Sequence, residues 1–259
     1  MYPKIVFHGF IIPTYTICYC MGFIASVYLL CKLLVKKRLL NRYIVSLTIS
    51  LLGLLAGSRL FGFLSRLLSI YQSTHKWEIQ EALNSGIVYL GGLLGYLSTF
   101  YVLCKFKKST YNNSDCDVAN VLAVAIPLFH FFGRLGCFFS GCCYGKISTS
   151  IFAIQSPTID SNTIDSRIPV QLIEATLELI LFVIFYKIYC DNSANGLKHH
   201  LLLHYLTVYC IIRFLLEFFR GDEIRGVYFG ISFSQYVCII VLVTIYTQKY
   251  YYKWRKKCE

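Results

Sequence analysis

The sequence predicts an all-α polytopic membrane protein of about seven transmembrane helices, forming a single transmembrane domain over 1–259. The N-terminus is expected outside and the C-terminus in the cytoplasm. Three observations carry this. The chain is 56% hydrophobic with a mean hydropathy of +0.58, too apolar for an ordinary soluble domain. Apolar runs of the length that spans a hydrocarbon core recur along it. Basic residues gather in alternate connections between those runs, as cytoplasmic loops require. Aromatic residues, 17% of the chain, suit rings seated at membrane interfaces.

The spans follow in order. Ile11–Val35 comes after a start that lacks a strongly basic segment, and no small-residue cleavage site follows it. It reads as a span rather than a cleavable signal peptide. Tyr43–Ile70 is the second, with Gly53 and Gly57 marking a candidate break. Gly86–Phe106, Val118–Ser140, Pro169–Cys190, Leu201–Phe219 and Ser234–Tyr251 complete the set. Connections are short except for 141–168, a polar stretch expected to form an external loop or small subdomain. No internal repeat is evident.

Orientation comes from the basic residues. Lys32, Lys36, Lys37, Arg38 and Arg42 flank the end of the first span. Lys105, Lys107 and Lys108 flank the end of the third, and Lys187 and Lys198 the end of the fifth. Lys249, Lys253, Arg255, Lys256 and Lys257 flank the end of the seventh. The opposite side holds only Lys4, Lys76, Lys146, Arg167, Arg220 and Arg225. The first side is therefore cytoplasmic. The net charge of +12 would suggest nucleic acid in a soluble chain. Here topology and anionic membrane lipid account for it, and nucleic acid is not an expected partner.

Four arginines, Arg59, Arg66, Arg134 and Arg213, fall within the spans. A charge at the bilayer centre costs about 2.5–3.5 kcal/mol on insertion scales, so such residues mark function by default. With the topology above, Tyr209 falls near mid-depth, and Arg59, Arg134, Gln171, Glu174, Arg213, Glu217, Arg220, Tyr15, Tyr19, Ser234 and Gln235 fall toward the outer leaflet. Tyr209, Arg213 and Glu217 are four apart and Arg220 three further, so they share one helix face. Gln171, Glu174 and Glu178 form a second stripe, and His130, Arg134 and Cys137 a third. Lipid cannot satisfy these faces, so they should meet in a shared interior cavity.

Blander readings stand beside these. Arg213 with Glu217 is either an internal ion pair or part of a site. Arg220 either snorkels to the interface or binds, and Arg66 is expected to snorkel. Glu178 extends the polar face of Glu174. His130 reads as a hydrogen-bonded packing residue, and His199, His200 and His204 as a solvated basic loop. The 12 cysteines do not form a disulfide scaffold. Cys137, Cys142 and Cys143 read first as small packing residues, then as a Cys137–Cys142 disulfide, and third as a metal site. No metal ligand set and no cofactor is assigned.

Several motifs then agree with one family. Gly133-Arg134-Leu135-Gly136-Cys137-Phe138-Phe139-Ser140-Gly141-Cys142-Cys143-Tyr144-Gly145 resembles the prolipoprotein diacylglyceryl transferase signature Gly-Arg-x-Gly-Asn-Phe-x-x-Gly-Glu-x-x-Gly. Tyr15 to Tyr19 with Gly22-Phe23 is similar to its first-helix segment. Gly57-Ser58-Arg59-Leu60 resembles its Gly-x-Arg-Leu, and Gly86 with Leu90-Gly91-Gly92 its Gly-Gly segment. Pro169 to Glu174 resembles His-Pro-x-Gln-Leu-Tyr-Glu. Tyr209 to Arg220 resembles Tyr-x-x-x-Arg-Phe-x-x-Glu-x-x-Arg, and Ser234-Gln235 sits at its Gly-Gln. The order is shared over nearly the whole chain. Three positions depart: Leu90 stands where the family often has His or Tyr, Cys137 replaces the signature Asn, and Cys142 its Glu.

The resemblance implies a multi-pass enzyme of the bacterial plasma (inner) membrane. It would move a diacylglyceryl group from phosphatidylglycerol to the lipobox cysteine thiol of a preprolipoprotein, held by its signal peptide. Glycerol phosphate would leave. It also implies roles. Arg134 and Arg213 would neutralise the departing phosphate, and Tyr15 and Tyr209 would orient the headgroup or assist proton transfer. Glu174 and Glu217 would hold the arginines. Arg59, Gly133, Gly136, Gly145, Gln171, Arg220, Gly91 and Gly92 complete the expected substrate-binding set. Two other functions remain open on the residues alone. One is a membrane thiol–disulfide enzyme using the external cysteines, and the other a lipid or organic-anion transporter using the same arginines.

Overall fold

A computed structural model describes residues 4–7, 10–106, 113–157, 164–191, 200–221, 227–228 and 230–258. Lys107, Lys108, Lys198, His199 and Arg225 lie outside the described residues, as do the side chains of Lys249, Lys253, Arg255, Lys256 and Lys257. Eight helices are described: α1 (Thr14–Lys36), α2 (Leu40–Thr74), α3 (Ile79–Leu83), α4 (Tyr89–Phe106), α5 (Asn113–Ser140), α6 (Val170–Cys190), α7 (Leu201–Glu217) and α8 (Phe233–Cys258). Every expected span coincides with one of the seven long helices. Three of them, over Thr14–Lys36, Leu40–Thr74 and Ser114–Ser140, are long and apolar enough to cross a membrane. The 21 residues of α6 include Glu174, Glu178 and Lys187, so its composition alone is a weaker signal.

The helix ends differ from the apolar limits for local reasons. Helix α1 starts at Thr14 because Phe10–Pro13 (β2) pairs antiparallel with Lys4–Phe7 (β1). It stops where Arg38 adopts a left-handed φ of 57° and the Leu39 N–H turns back to the Leu34 carbonyl at 2.9 Å. Helix α5 begins five residues before its apolar run. Asp115 lies in its first turn, where a negative charge complements the helix dipole. Buried Asp115 accepts a hydrogen bond from the Tyr43 hydroxyl. Helix α7 gains a cap from outside itself: its Leu201 N–H donates to the Asn120 side chain on α5 at 3.1 Å.

Contacts divide the chain into two units. The first comprises 1–33, 119–222 and 240–259, and the second 34–118 and 223–239. Within the second, α2 and α4 pack face to face through glycines. An added Cβ at Gly57 would strike the Gly91 carbonyl, and one at Gly95 the Gly53 carbonyl. This is small-residue packing as in membrane helix pairs. It corrects the candidate break between Gly53 and Gly57: α2 runs unbroken through both, because the glycines serve close approach rather than a kink. Arg66 forms a partly exposed ion pair with Glu81 of α3 at 2.6 Å.

Within the first unit, α5, α6 and α7 bring their polar stripes together. Val118 to Ala125 of α5 are buried. Beyond α5, Ile154–Pro157 (β3) pairs with Ile164–Arg167 (β4), Ile154 opposite Arg167. The 141–168 stretch thus contains a hairpin. A third hairpin pairs Val227–Tyr228 (β5) with Ile231–Ser232 (β6), ahead of α8.

Candidate functional site

An apolar helix interior must pair every charge it buries. The first unit meets that demand with one connected cluster. Glu174 is 1% exposed and stands between two guanidinium groups. Arg134 Nη2 lies 2.9 Å from its Oε1, and Arg213 Nη1 lies 4.0 Å from its Oε2. Arg213 Nη2 also pairs with Glu217 at 2.6 Å, one turn along α7. Three helices therefore contribute, with α5 supplying Arg134, α6 Glu174, and α7 Arg213 and Glu217.

Behind this pair sits a second set of polar contacts. Arg134 Nε donates to His130 Nε2 at 3.1 Å. An imidazole that accepts at Nε2 carries its proton at Nδ1, and Nδ1 faces Glu178 Oε1 at 3.0 Å. The Tyr205 hydroxyl donates to the other Glu178 oxygen at 3.4 Å. The Tyr209 ring packs edge-on to His130, centroids 5.5 Å apart, and stacks on Tyr205 at 5.9 Å.

Arg213 retains a buried donor. Its Nη1 has no hydrogen-bond acceptor among the described residues, and the nearest described carboxylate is the Glu174 oxygen 4.0 Å away. A buried N–H without an acceptor costs about 1–3 kcal/mol, more when charged. That cost marks a place where a ligand oxygen would be stabilising.

The segment after α5 is tied to the end of α7. The Lys146 N–H donates to the Phe219 carbonyl at 2.9 Å and the Gly221 N–H to the Tyr144 carbonyl at 3.0 Å. This pairing sets Gly145 opposite Arg220. Gly145 has no room for a side chain, because a Cβ there would strike the Ile168 carbonyl. Arg167 caps this region, its guanidinium 4.5 Å from the Tyr144 ring centroid and paired with Asp165 at 2.7 Å. Gln171 Nε2 donates to the Cys142 carbonyl at 2.8 Å.

Tyr15 of α1 meets this region through Gly136, where an added Cβ would come within 3.1 Å of the tyrosine ring. Gly133 faces open space. The structure thus gathers Arg134, Arg213, Tyr209, Glu174 and Glu217 into one buried cluster, and buried Gln171 lies on the same helix as Glu174 with its amide on the Cys142 carbonyl. The structure sets Tyr15, Gly136, Gly145 and Arg220 in the same unit. Arg59, Gly91 and Gly92 belong to the second unit. Arg59 is exposed and makes no ion pair among the described residues. Gly91 packs on Phe61 and Gly57, and Gly92 on Leu54 and Ser58.

His130 is a buried, hydrogen-bonded packing residue, as its sequence context suggests, whereas the contacts of Glu178 with His130 and Tyr205 go beyond extending a polar face. The i, i+4 spacings of His130 with Arg134, Glu174 with Glu178, and Tyr205 with Tyr209 were the available signal.

The cysteines of the signature segment are free thiols. The Sγ atoms of Cys137, Cys142 and Cys143 all lie within 4.8 Å of one another. Gly141 at φ 74° and Cys143 at φ 59° fold the chain back to bring them together. Hydrogen bonds from Cys137 and Cys142 hold the Cys143 thiol well below its ordinary pKa, against the effect of burial.

A family model described as "Prolipoprotein diacylglyceryl transferase" matches residues 3–250. A protein of Clostridium tetani named phosphatidylglycerol–prolipoprotein diacylglyceryl transferase is 28% identical over 232 residues, covering 86% of each chain. One of the same name from Campylobacter hominis is 28% identical over 253 residues, 91% of this chain and 85% of its own. Another from Rickettsia bellii is 27% identical over 221 residues, 82% and 79%.

Proposed function

The chain belongs to the prolipoprotein diacylglyceryl transferase family, and from that premise we infer that its buried charges serve the transfer of a diacylglyceryl group from phosphatidylglycerol to the lipobox cysteine thiol of a prolipoprotein. It is a membrane transferase of lipoprotein biosynthesis. The thiol–disulfide and transporter readings have no counterpart in the names of these relatives.

The chemistry sets the requirements. The acceptor sulfur attacks a glycerol carbon of the lipid, and the carbon–oxygen bond to phosphate breaks. The electron pair stays on the phosphate, so charge develops on the leaving oxygen. Fixed cationic donors aimed at that oxygen lower the barrier, and losing one such donor typically costs about 10²–10³ in rate. One observation carries the assignment: Glu174 pairs with Arg134 and faces Arg213, whose Nη1 keeps a buried donor without an acceptor among the described residues. A phosphate oxygen completes that arrangement, and guanidinium suits it because its donors form a rigid fork.

In this reading Arg134 and Arg213 contact the phosphate, and Glu174 and Glu217 fix their orientation. Tyr209 and Tyr15 contact the headgroup. Gln171, Gly133, Gly136, Gly145 and Arg220 shape the entry on the outer side; Arg59, Gly91 and Gly92 of the second unit are separate candidates for lipid contact. The seven long helices each cross the bacterial inner membrane, with 141–168 external and the whole of 1–259 acting as one transferase domain. The basic residues after the first, third, fifth and seventh spans support that orientation.

The test is incubation of purified protein with phosphatidylglycerol and a lipobox peptide, followed by mass spectrometry of the peptide. A peptide heavier by one diacylglyceryl group, joined through a thioether, is expected. Turnover retained in Arg134→Ala would refute the phosphate role.

A further inference from the structure

Two of the three family positions that depart here are cysteines, Cys137 and Cys142, and a third cysteine, Cys143, folds onto them. Three thiols that meet at one point are not a usual packing solution, since one Cys fills the same space without another thiol beside it. The arrangement is also built. Cys143 holds a left-handed φ of 59°, which a non-glycine residue adopts only where its surroundings enforce it. Gln171 fixes the Cys142 carbonyl at 2.8 Å, and the Cys142 thiol donates to the Cys137 carbonyl at 3.7 Å. Cys142 and Cys143 keep partial solvent exposure, and that is the side on which a further ligand would enter.

We propose that Cys137, Cys142 and Cys143 form a three-thiolate site for a zinc ion, whose open fourth position takes the acceptor cysteine. Soft thiolate sulfur selects such an ion. Zinc bonds of about 2.3 Å in a tetrahedron place ligand sulfurs about 3.8 Å apart. The trio lies within 4.8 Å, so only small rotations are needed to close on a metal. Three thiolates and one zinc leave a net negative charge. Arg134 and Arg220, whose fields both reach Cys143, offset it. Three protein ligands with one open position is the pattern of a catalytic rather than a structural zinc.

The acceptor role rests on the transferase reading. A thiol that binds zinc loses its proton outright, so the S–H proton passes to solvent as the acceptor sulfur becomes the fourth ligand. That sulfur then forms its bond to the glyceryl carbon. The carbon–oxygen bond to phosphate breaks with its electron pair left on oxygen, and glycerol phosphate departs. The product thioether is neutral and a poor ligand, so it leaves the metal. The metal thereby supplies an activated nucleophile, and no protein base is required at Cys142, where the family signature carries Glu.

The experiment uses the full chain in lipid nanodiscs. Metal analysis should find about one zinc per chain, and cobalt substitution should give sulfur-to-cobalt charge-transfer bands in the near ultraviolet. Adding a lipobox-cysteine peptide should intensify those bands, and the same peptide with serine should not. Cys142→Ser should lower zinc affinity at least about tenfold. If that variant fails to fold, the cobalt spectrum of the unaltered chain still decides. No stoichiometric metal with no cobalt bands, or a Cys137–Cys142 disulfide in the native chain, overturns the site. Bands that ignore the peptide overturn the acceptor role. Transfer that continues undiminished after chelation overturns the proposal and leaves the transferase reading intact. Zinc retained with the expected bands, but no transfer under any condition, upholds the metal site and overturns the transferase reading instead.

Discussion

Arg134 and Arg213 share Glu174 but differ in what else they hold. Arg134 gives Nε to His130 and Nη2 to Glu174. Arg213 gives Nη2 to Glu217 and keeps Nη1 without an acceptor among the described residues. Lysine at 213 retains the charge and loses the fork, so it pairs with Glu217 or faces the phosphate but not both. Arg213→Lys is therefore expected to lower kcat/KM by about 10²-fold or more, read from initial rates of peptide lipidation, with little loss of thermal stability. Glu174→Gln is expected to be worse for the fold. Removing one partner of a buried ion pair costs about 3–5 kcal/mol, so its unfolding midpoint in detergent should fall well below that of Arg213→Lys. Arg134, Glu174, Arg213 and Glu217 were legible in the sequence because a charge in an apolar run is costly and must be explained. Tyr205 and His130 were less so, since both tolerate an apolar face. The convergence of the three thiols was not legible, because it depends on a left-handed turn at Cys143 that a non-glycine residue does not announce.

Glycines at the element scale divide into those that let helices touch and those that leave space. Gly57 and Gly91 belong to the first kind: each would drive a Cβ into the other's carbonyl. Gly57→Leu should separate α2 from α4 and lower the unfolding temperature. The cost falls in the range of about 1–3 kcal/mol seen for overpacking. Gly133 belongs to the second kind, with no neighbouring atom within 4 Å of an added Cβ. It lies inside α5, where alanine is favoured over glycine by about 1 kcal/mol. Gly133→Ala should thus leave stability equal or higher. Gly133→Leu should also fold, and a loss of lipidation in that variant alone would assign the space to substrate. Asn120→Ala removes the cap on Leu201 and should cost about 1 kcal/mol. The seven long helices were readable from apolar runs alone, whereas α3 and the three short hairpins, which have no such run, were not. Element ends were not, because Thr14, Asn113 and His75 are set by strand pairing, a polar first turn and a left-handed cap.

The orientation of the molecule in its membrane is where sequence charge makes its strongest claim. Helix α2, with 35 residues, is about 52 Å long at 1.5 Å per residue, well over the hydrocarbon thickness of about 30 Å. Its ends must therefore leave the hydrocarbon core or the helix must tilt, and length alone does not say which end faces which side. The basic residues supply an expectation. Lys37 and Arg38 lie between α1 and α2, with Lys36 at the end of α1 and Arg42 in the first turn of α2, and Lys37 pairs with Asp117 near the start of α5, so this junction carries both the charge and a contact that holds it in place. Lys253, Arg255, Lys256 and Lys257 at the far end of α8 should lie on the same side, since translocating short basic segments is disfavoured. A fluorescent protein fused after Glu259 should therefore be bright in bacteria, and alkaline phosphatase fused there should be inactive. Phosphatase inserted after Thr149, in the exposed part of the 141–168 connection, should be active. An active phosphatase at the C-terminus would place the lipid-phosphate cluster against the cytoplasmic leaflet. The lipobox cysteine of a translocated signal peptide could not then reach Arg134, so the topology experiment tests the catalytic reading as well as the fold.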